Sequence, residues 1–186
     1  MAIAQHLKLN RARCQGVTLV ELVMTLAIAA ILLAIGVPSF QNITATNRIA
    51  SLTNELRGAL QLARSEAVKR GRTVTVCKSD DITDSTPTCN ASANWQDGWV
   101  VFVDTNNDGS LDSGEIPLRL GQPSIGSAVI TTSTRFNDFL RFQPDGRAQG
   151  ADNFSNGSIN VCIASNQRSI IINNIGRIKI ETGTCT

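Results

Sequence analysis

The chain has no tyrosine, few other aromatics (4% of 186 residues) and a single histidine, His6, which lies ahead of every segment patterned to fold. A Ser/His or Cys/His mechanism needs imidazole beside its nucleophile, so such catalysis is excluded from any domain that does not retain the N-terminus. There is no nucleophile elbow, and no close carboxylate pair outside one acidic turn. The chain reads as a non-enzyme. Charge of one sign is also missing locally. Residues 1–16 carry Lys8, Arg11 and Arg13 without an acid, Arg48 to Lys78 carries seven bases against Glu55 and Glu66, and Asp80 to Glu115 carries eight acids without a base. The formal net charge of +2 hides this sorting and by itself says little about partners.

What is abundant comes first in the chain. Val17 to Val37 is an apolar run with one charge, Glu21. As a helix rising about 1.5 Å per residue it covers roughly 30 Å, the hydrocarbon thickness of a bilayer. The basic cluster directly before it keeps the N-terminus cytoplasmic and sends the rest outward, which predicts a single membrane pass and an extracytoplasmic C-terminal domain. Pro38 lacks an amide proton and strains the preceding turn, so a kink or break is expected from Gly36 to Pro38. Beyond it Ile49, Leu52, Leu56, Leu60, Ala63 and Ala67 recur at three- and four-residue steps, an amphipathic continuation. It ends at Gly71, a natural cap after Lys69 and Arg70.

After Gly71 come short β-rich runs separated by turn-forming clusters: RTVTVCK, GWVVFVD, IPLRL, AVITT, FLRFQ, INVCIA, RSIIIN and GRIKI. Gln122 to Ser127 is at most a loop. The organisation predicted is α+β: a segment 1–16, a membrane helix 17–40, an amphipathic helix 41–71 entering the domain, and a β-rich region 72–186 of antiparallel sheet on the long helix. Cys77, Cys89, Cys162 and Cys185 fall in the exported part, and an even count there favours disulfides. Three pairings are possible. Cys77 with Cys89 and Cys162 with Cys185 is preferred because each closes a local loop. A zinc site lacks a C-x-x-C pair and a nearby histidine.

Two stretches carry candidate ligand chemistry. Asp104 to Glu115, DTNNDGSLDSGE, matches a calcium-loop pattern, with oxygens at Asp104, Asn106, Asp108, Ser110, Asp112 and Glu115 and a turn-permitting Gly109. Strand-like runs flank it where an EF-hand has helices, and Asp, Asn and Gly are also ordinary turn residues, so a cation-free hairpin connection is the main expectation and calcium the only cofactor considered. The second stretch is GRIKI. In a strand Arg177 and Lys179 share one face over Ile178 and Ile180, and Arg168 joins them if the two segments pair. Such a cluster can contact phosphates without regard to sequence; the alternative is a pair of ordinary solvated strand residues.

The N-terminal pattern resembles the class III leader of type IV pilins and pseudopilins, on Gly16, Thr18, Leu19, Glu21 and Pro38. Val17 departs from the family, whose mature chains usually start with Phe or Met. The resemblance implies cleavage after Gly16 by a prepilin peptidase and methylation of the new α-amino group of Val17. It also implies that Glu21 pairs with that amine on a neighbouring pilin during assembly, a partner that a costly carboxylate in apolar surroundings needs. WQDGWVVFVD with its acidic turn, LARSEAVKRGRTVTVC, FQPDGRA and GRIKI together resemble the GspH/FimT group, most closely minor pilins of the FimT/FimU type. That implies a role in pilus biogenesis, with other pilins as partners. In competence pilins of this type a C-terminal G-R-x-R motif binds DNA; Gly176 and Arg177 match it, and Lys179 stands in place of the second arginine. The alternative is a GspH-like minor pseudopilin of type II secretion.

Overall fold

The computed structural model describes residues 16–84, 86–122 and 126–185. His6, Cys14, Lys8, Arg11, Arg13 and the rest of segment 1–15 lie outside the described residues. Two compact units result, Met1–Gln41 and Asn42–Thr186. Helix α1 spans Leu19–Arg70.

In the first unit every described residue is exposed. A helix apolar all round has no core-facing stripe and is stable only where lipid or other helices cover it. Among the described residues α1 is the one helix long and apolar enough to cross a membrane. Its assignment runs unbroken through Pro38, so the break the sequence allows for is absent. A proline inside a helix forfeits one ladder bond, and the turns on either side remain bonded here.

In the second unit α1 buries Ile49, Leu52, Thr53, Leu56, Ala59, Leu60, Ala63 and Ala67 along one stripe. It ends as the sequence predicts: Gly71 takes the left-handed conformation (φ +62°), and the Arg72 N–H reaches the Ala67 carbonyl at 3.3 Å, a Schellman closure. Among the described residues nine strands follow, in two antiparallel sheets. The first has order β3-β2-β1-β5-β6, with β1 Val74–Lys78, β2 Trp99–Val103, β3 Pro117–Gly121, β5 Phe139–Phe142 and β6 Ala148–Gly150. The second has order β4-β7-β8-β9, with β4 Val129–Thr132, β7 Gly157–Ile163, β8 Asn166–Ile172 and β9 Ile178–Thr184. The eight runs read from sequence each overlap one of eight strands, with β7 and β8 beginning two residues before their runs and β9 ending four residues after its own; β6 and a 3-10 turn at Thr134–Phe136 were not read, being too short for a period to show.

One core joins the α1 stripe to Val74, Val76, Trp99, Val101, Leu140 and Phe142 of the first sheet and to Ile159, Val161, Ile170 and Ile172 of the second. The first sheet has apolar residues on its other face too. There Cys77, Val100 and Phe102 pack with Ile82, Leu111, Leu120 and Phe139. Loops 79–98 and 104–116 therefore cover that face, which is why WVVFV is apolar at every position instead of alternating.

Loop 79–98 is fastened at Asp81. Its carboxylate accepts from the Ser79 hydroxyl (2.7 Å), the Thr88 N–H (2.9 Å) and the Thr88 hydroxyl (2.7 Å). Partial burial alone pushes this carboxyl up, but the hydrogen bonds from Thr88 and Ser79 outweigh it and hold the group below its ordinary value of 3.8. A depressed carboxyl contributes its stabilisation in full above the ordinary value and loses it as pH falls through the folded value. Amide exchange in residues 79–90 should therefore accelerate as pH is lowered through and below about 3.8, after correction for intrinsic rates, and Asp81→Ala should produce the same loosening at neutral pH. A pH-independent protection factor would contradict this. Leu56→Ala, at a fully buried position of the stripe, should cost about 2–5 kcal/mol in denaturant unfolding.

Candidate functional site

At the N-terminus Gly16 and Val17 lie in exposed, non-helical chain just ahead of α1. Thr18 caps the helix: its hydroxyl accepts the Glu21 N–H at 3.3 Å, and its carbonyl accepts the Leu22 N–H at 3.1 Å. T-x-x-E is the capping-box spacing, and it puts Glu21 in the first turn, where the helix dipole favours an anion. The sequence carried this signal without its being read. Glu21 is thus a carboxylate held at the positive end of an apolar helix.

Cys77 is bonded to Cys89 and Cys162 to Cys185, with Cα separations of 5.6 and 5.9 Å. The first ties loop 79–98 to β1. The second ties the end of β9 to β7.

The oxygens of the acidic turn are largely engaged in hydrogen bonds. Asp104 is buried, and its Oδ2 accepts from the Thr75 hydroxyl (2.7 Å) and the Gly109 N–H (3.1 Å). Asn106 donates to Asp108 and Asp112 at 2.9 and 2.8 Å, and Asp108 accepts the Ser110 N–H at 2.8 Å. Glu115 accepts from the Thr105 N–H and hydroxyl, both 2.7 Å, and from the Asp112 N–H at 3.1 Å. Among the described residues no group of three or more His, Cys, Asp or Glu is placed to hold a metal. Asp104 Oδ1 is buried without a hydrogen-bond partner among the described residues, while side-chain oxygens of Asp108, Asp112 and Glu115 are engaged within the turn. The turn lies over the outer face of the first sheet, where Arg141 donates to the Asn107 carbonyl and a side chain on Gly109 would strike the Phe139 ring at 2.4 Å.

At the C-terminal stretch the structure corrects the expected cluster. Arg168 pairs with Thr182 and Lys179 with Ile171. Directly paired residues share a face and the next pair takes the other, so Arg168 falls on the face of Ile170 and Ile180, opposite Lys179. Lys179 forms a 2.7 Å ion pair with Glu181 on its own strand. Arg177 precedes β9, in the turn that joins it to β8.

That turn has a twin. Gln143-Pro144-Asp145-Gly146-Arg147 closes with the Gln143 N–H on the Arg147 carbonyl (2.9 Å) and the Gly146 N–H on the Gln143 carbonyl (2.8 Å). Asn173-Asn174-Ile175-Gly176-Arg177 repeats this, with the Asn173 N–H on the Arg177 carbonyl (3.2 Å) and the Gly176 N–H on the Asn173 carbonyl (2.9 Å). Both glycines are left-handed, φ +81° and +74°. The turns belong to different sheets and meet backbone to backbone: a Cβ on Gly176 would lie 2.1 Å from the Gly146 carbonyl oxygen. Arg64 of α1 fastens both, donating to the Gly146 carbonyl at 3.1 Å and the Ile175 carbonyl at 2.9 Å. Sequence reasoning did not single out Arg64 for this role; the trace in the sequence is the repeated Gly-Arg, Gly146-Arg147 and Gly176-Arg177, each ending a turn.

Beside the clamp a groove of about 650 Å³ opens between α1 and the start of β9, lined by Arg64, Ser65, Val68, Lys69, Arg177 and Ile178 among others. The Asp145 carboxylate at its rim is held below its ordinary value by the Arg147 backbone N–H, and the Arg147 guanidinium bonds it at 2.6 Å.

A long apolar helix with a capped acid at its head, running on into two sheets packed on its second half, defines a pilin-like protein. The family model described as "Type II transport protein GspH" matches residues 52–176, and that described as "Prokaryotic N-terminal methylation motif" matches residues 11–37. Two curated relatives, each called "Fimbrial protein" and from Pseudomonas aeruginosa, are 32% identical over 129 residues, 67% of this chain and 80% of theirs. The chain belongs to the GspH family. Crystal structures of the Pseudomonas aeruginosa (strain PAO1) type IV minor pilin FimU in two crystal forms share the fold. One has TM-score 0.56 at 22% identity, covering 75% of this chain and 92% of that one. The other has TM-score 0.50 at 24% identity, covering 71% and 91%. The family is one of structural subunits.

Gly176 of the G-R-x-K stretch is thus required by close packing as well as by its φ. Gly176→Ala should lower the thermal midpoint by several degrees, since strain and overpacking together cost about 1–3 kcal/mol, while Arg177→Ala should leave it nearly unchanged. Equal midpoints for the two variants would contradict this.

Proposed function

We propose that the protein is an assembly subunit of a type IV pilus. Residues 17–40 anchor it in the inner membrane, with the basic segment 1–16 cytoplasmic and residues 72–186 periplasmic. Prepilin peptidase cuts after Gly16, and the new amine of Val17 is methylated. One observation carries the reading: an apolar helix, exposed all round, with Glu21 fixed in its first turn by Thr18. Such a helix needs neighbours, and a carboxylate at its head needs a cation. The amine of a neighbouring pilin supplies one. The curated relatives named as fimbrial proteins favour the pilus over the type II secretion pseudopilus.

Glu21→Ala should leave membrane insertion and leader removal intact while cutting recovery of the chain in sheared pili by on the order of tenfold. Undiminished recovery would contradict the pairing.

Capture of double-stranded DNA is the second reading, resting on the exposed cations Arg177 and Lys179 with Gly176 between the turns. The support for it is narrower than the motif alone gives, because Arg168 falls on the other face and Lys179 is paired with Glu181. If DNA binds there, affinity for any duplex falls with salt, and Arg177→Ala with Lys179→Ala flattens the slope by about one to two phosphate contacts. A salt titration with an unchanged slope removes this reading.

A further inference from the structure

Strand β9 is an open edge. It pairs with β8 alone, while the edges of the first sheet are a strand that begins with Pro117 and a three-residue strand, β6. The phase of its ladder follows from the bonds at its two ends. The Asn173 N–H meets the Arg177 carbonyl, and the Cys185 N–H meets the Ser165 carbonyl, so odd-numbered residues from 177 to 185 exchange hydrogen bonds with β8. The backbone N–H and C=O of Ile178, Ile180, Thr182 and Thr184 therefore point away from β8, to the free edge. A row of unpaired backbone groups at seven-residue length is a template for another strand.

The groove beside the start of this edge gives that strand a wall. Val68 and Ile175 are 55% and 57% exposed at the groove and its clamped turn, and Ile178 lines it from β9. Its charge is positive: Arg64, Lys69 and Arg177 stand against Asp145, which is already bonded to Arg147, and Glu66, which is bonded to Arg70 and lies 3.8 Å from Lys69. An edge strand beside a helix, with an apolar wall and cations at one end, is the arrangement in which an extended segment adds to a sheet, its backbone supplying affinity and its alternate side chains specificity.

We propose that this groove and the free edge of β9 receive an extended segment of a neighbouring pilin subunit, which adds as a fifth strand to the second sheet. Its inward side chains are apolar, against Val68 and Ile178, and it carries a carboxylate facing Lys69 and Arg177. The partner's class rests on the assembly reading above. Gly176 and Arg64 act as positioning residues, fixing the turn from which Arg177 projects.

The test uses the full chain in detergent and a fluorescent peptide of alternating Val and Thr with one terminal Asp, followed by anisotropy. Saturable binding is expected, weakened roughly tenfold or more by Lys69→Glu with Arg177→Glu, and lost when the peptide's Asp is replaced by Lys. Thr182→Pro is the sharper variant. It deletes an N–H that makes no bond to β8, so the thermal midpoint should hold while peptide affinity drops by a similar factor. Three results would overturn the proposal: no saturable binding, equal affinity for Thr182→Pro, or preference for a short DNA duplex over the peptide, which would assign the groove to phosphate. Failure here with normal recovery in pili leaves the assembly reading standing; peptide binding by a chain that never enters pili sinks that reading and keeps the groove.

Discussion

Two sheets that share no backbone ladder are held in one domain by a single stripe of side chains on α1, from Ile49 to Ala67. The stripe is branched toward its start and alanine-rich toward its end, and it packs with large residues from the sheets, Trp99, Phe142 and Ile170 among them. The second half of the helix therefore serves as the shared inner layer of the fold, and everything at the surface is positioned relative to it.

The Arg64 clamp follows from that constraint. Where the two sheets approach each other, each contributes a glycine turn, and the turns are too close for any side chain at Gly176. Arg64 lies one residue beyond the buried Ala63, so its guanidinium reaches the rim just where the turns meet. Two carbonyls that would otherwise rely on water gain a charged donor, a stronger bond than a neutral one. Arg177, the open edge of β9 and the groove all take their positions from this junction.

Much of the fold was legible because its signals are local. Period-2 and continuous apolar runs gave the strands, three- and four-residue steps gave the stripe, and Gly71 after Lys69 and Arg70 gave the helix end. What failed to show is relational. Whether Arg168 faces Lys179 depends on the register of β8 against β9, a parity that no single strand encodes. The bonds that hold the Asp104 to Glu115 turn, from Thr75 beneath to Asp104 and from Thr105 and Asp112 to Glu115, are likewise not written in its spacing. Gly176 read as half of a binding motif, and the contact that requires it, the Gly146 carbonyl, lies thirty positions earlier in the chain. Thr18 with Glu21 is local as well, a T-x-x-E capping spacing at the head of the apolar run.

The account depends on the N-terminal helix being an assembly element, freed at Gly16, and mass spectrometry of the chain recovered from sheared pili tests that most directly. The account predicts an N-terminal peptide that begins at Val17 and carries a methylated α-amine. A filament-associated chain that still carries residues 1–16, or one cut elsewhere, would contradict it.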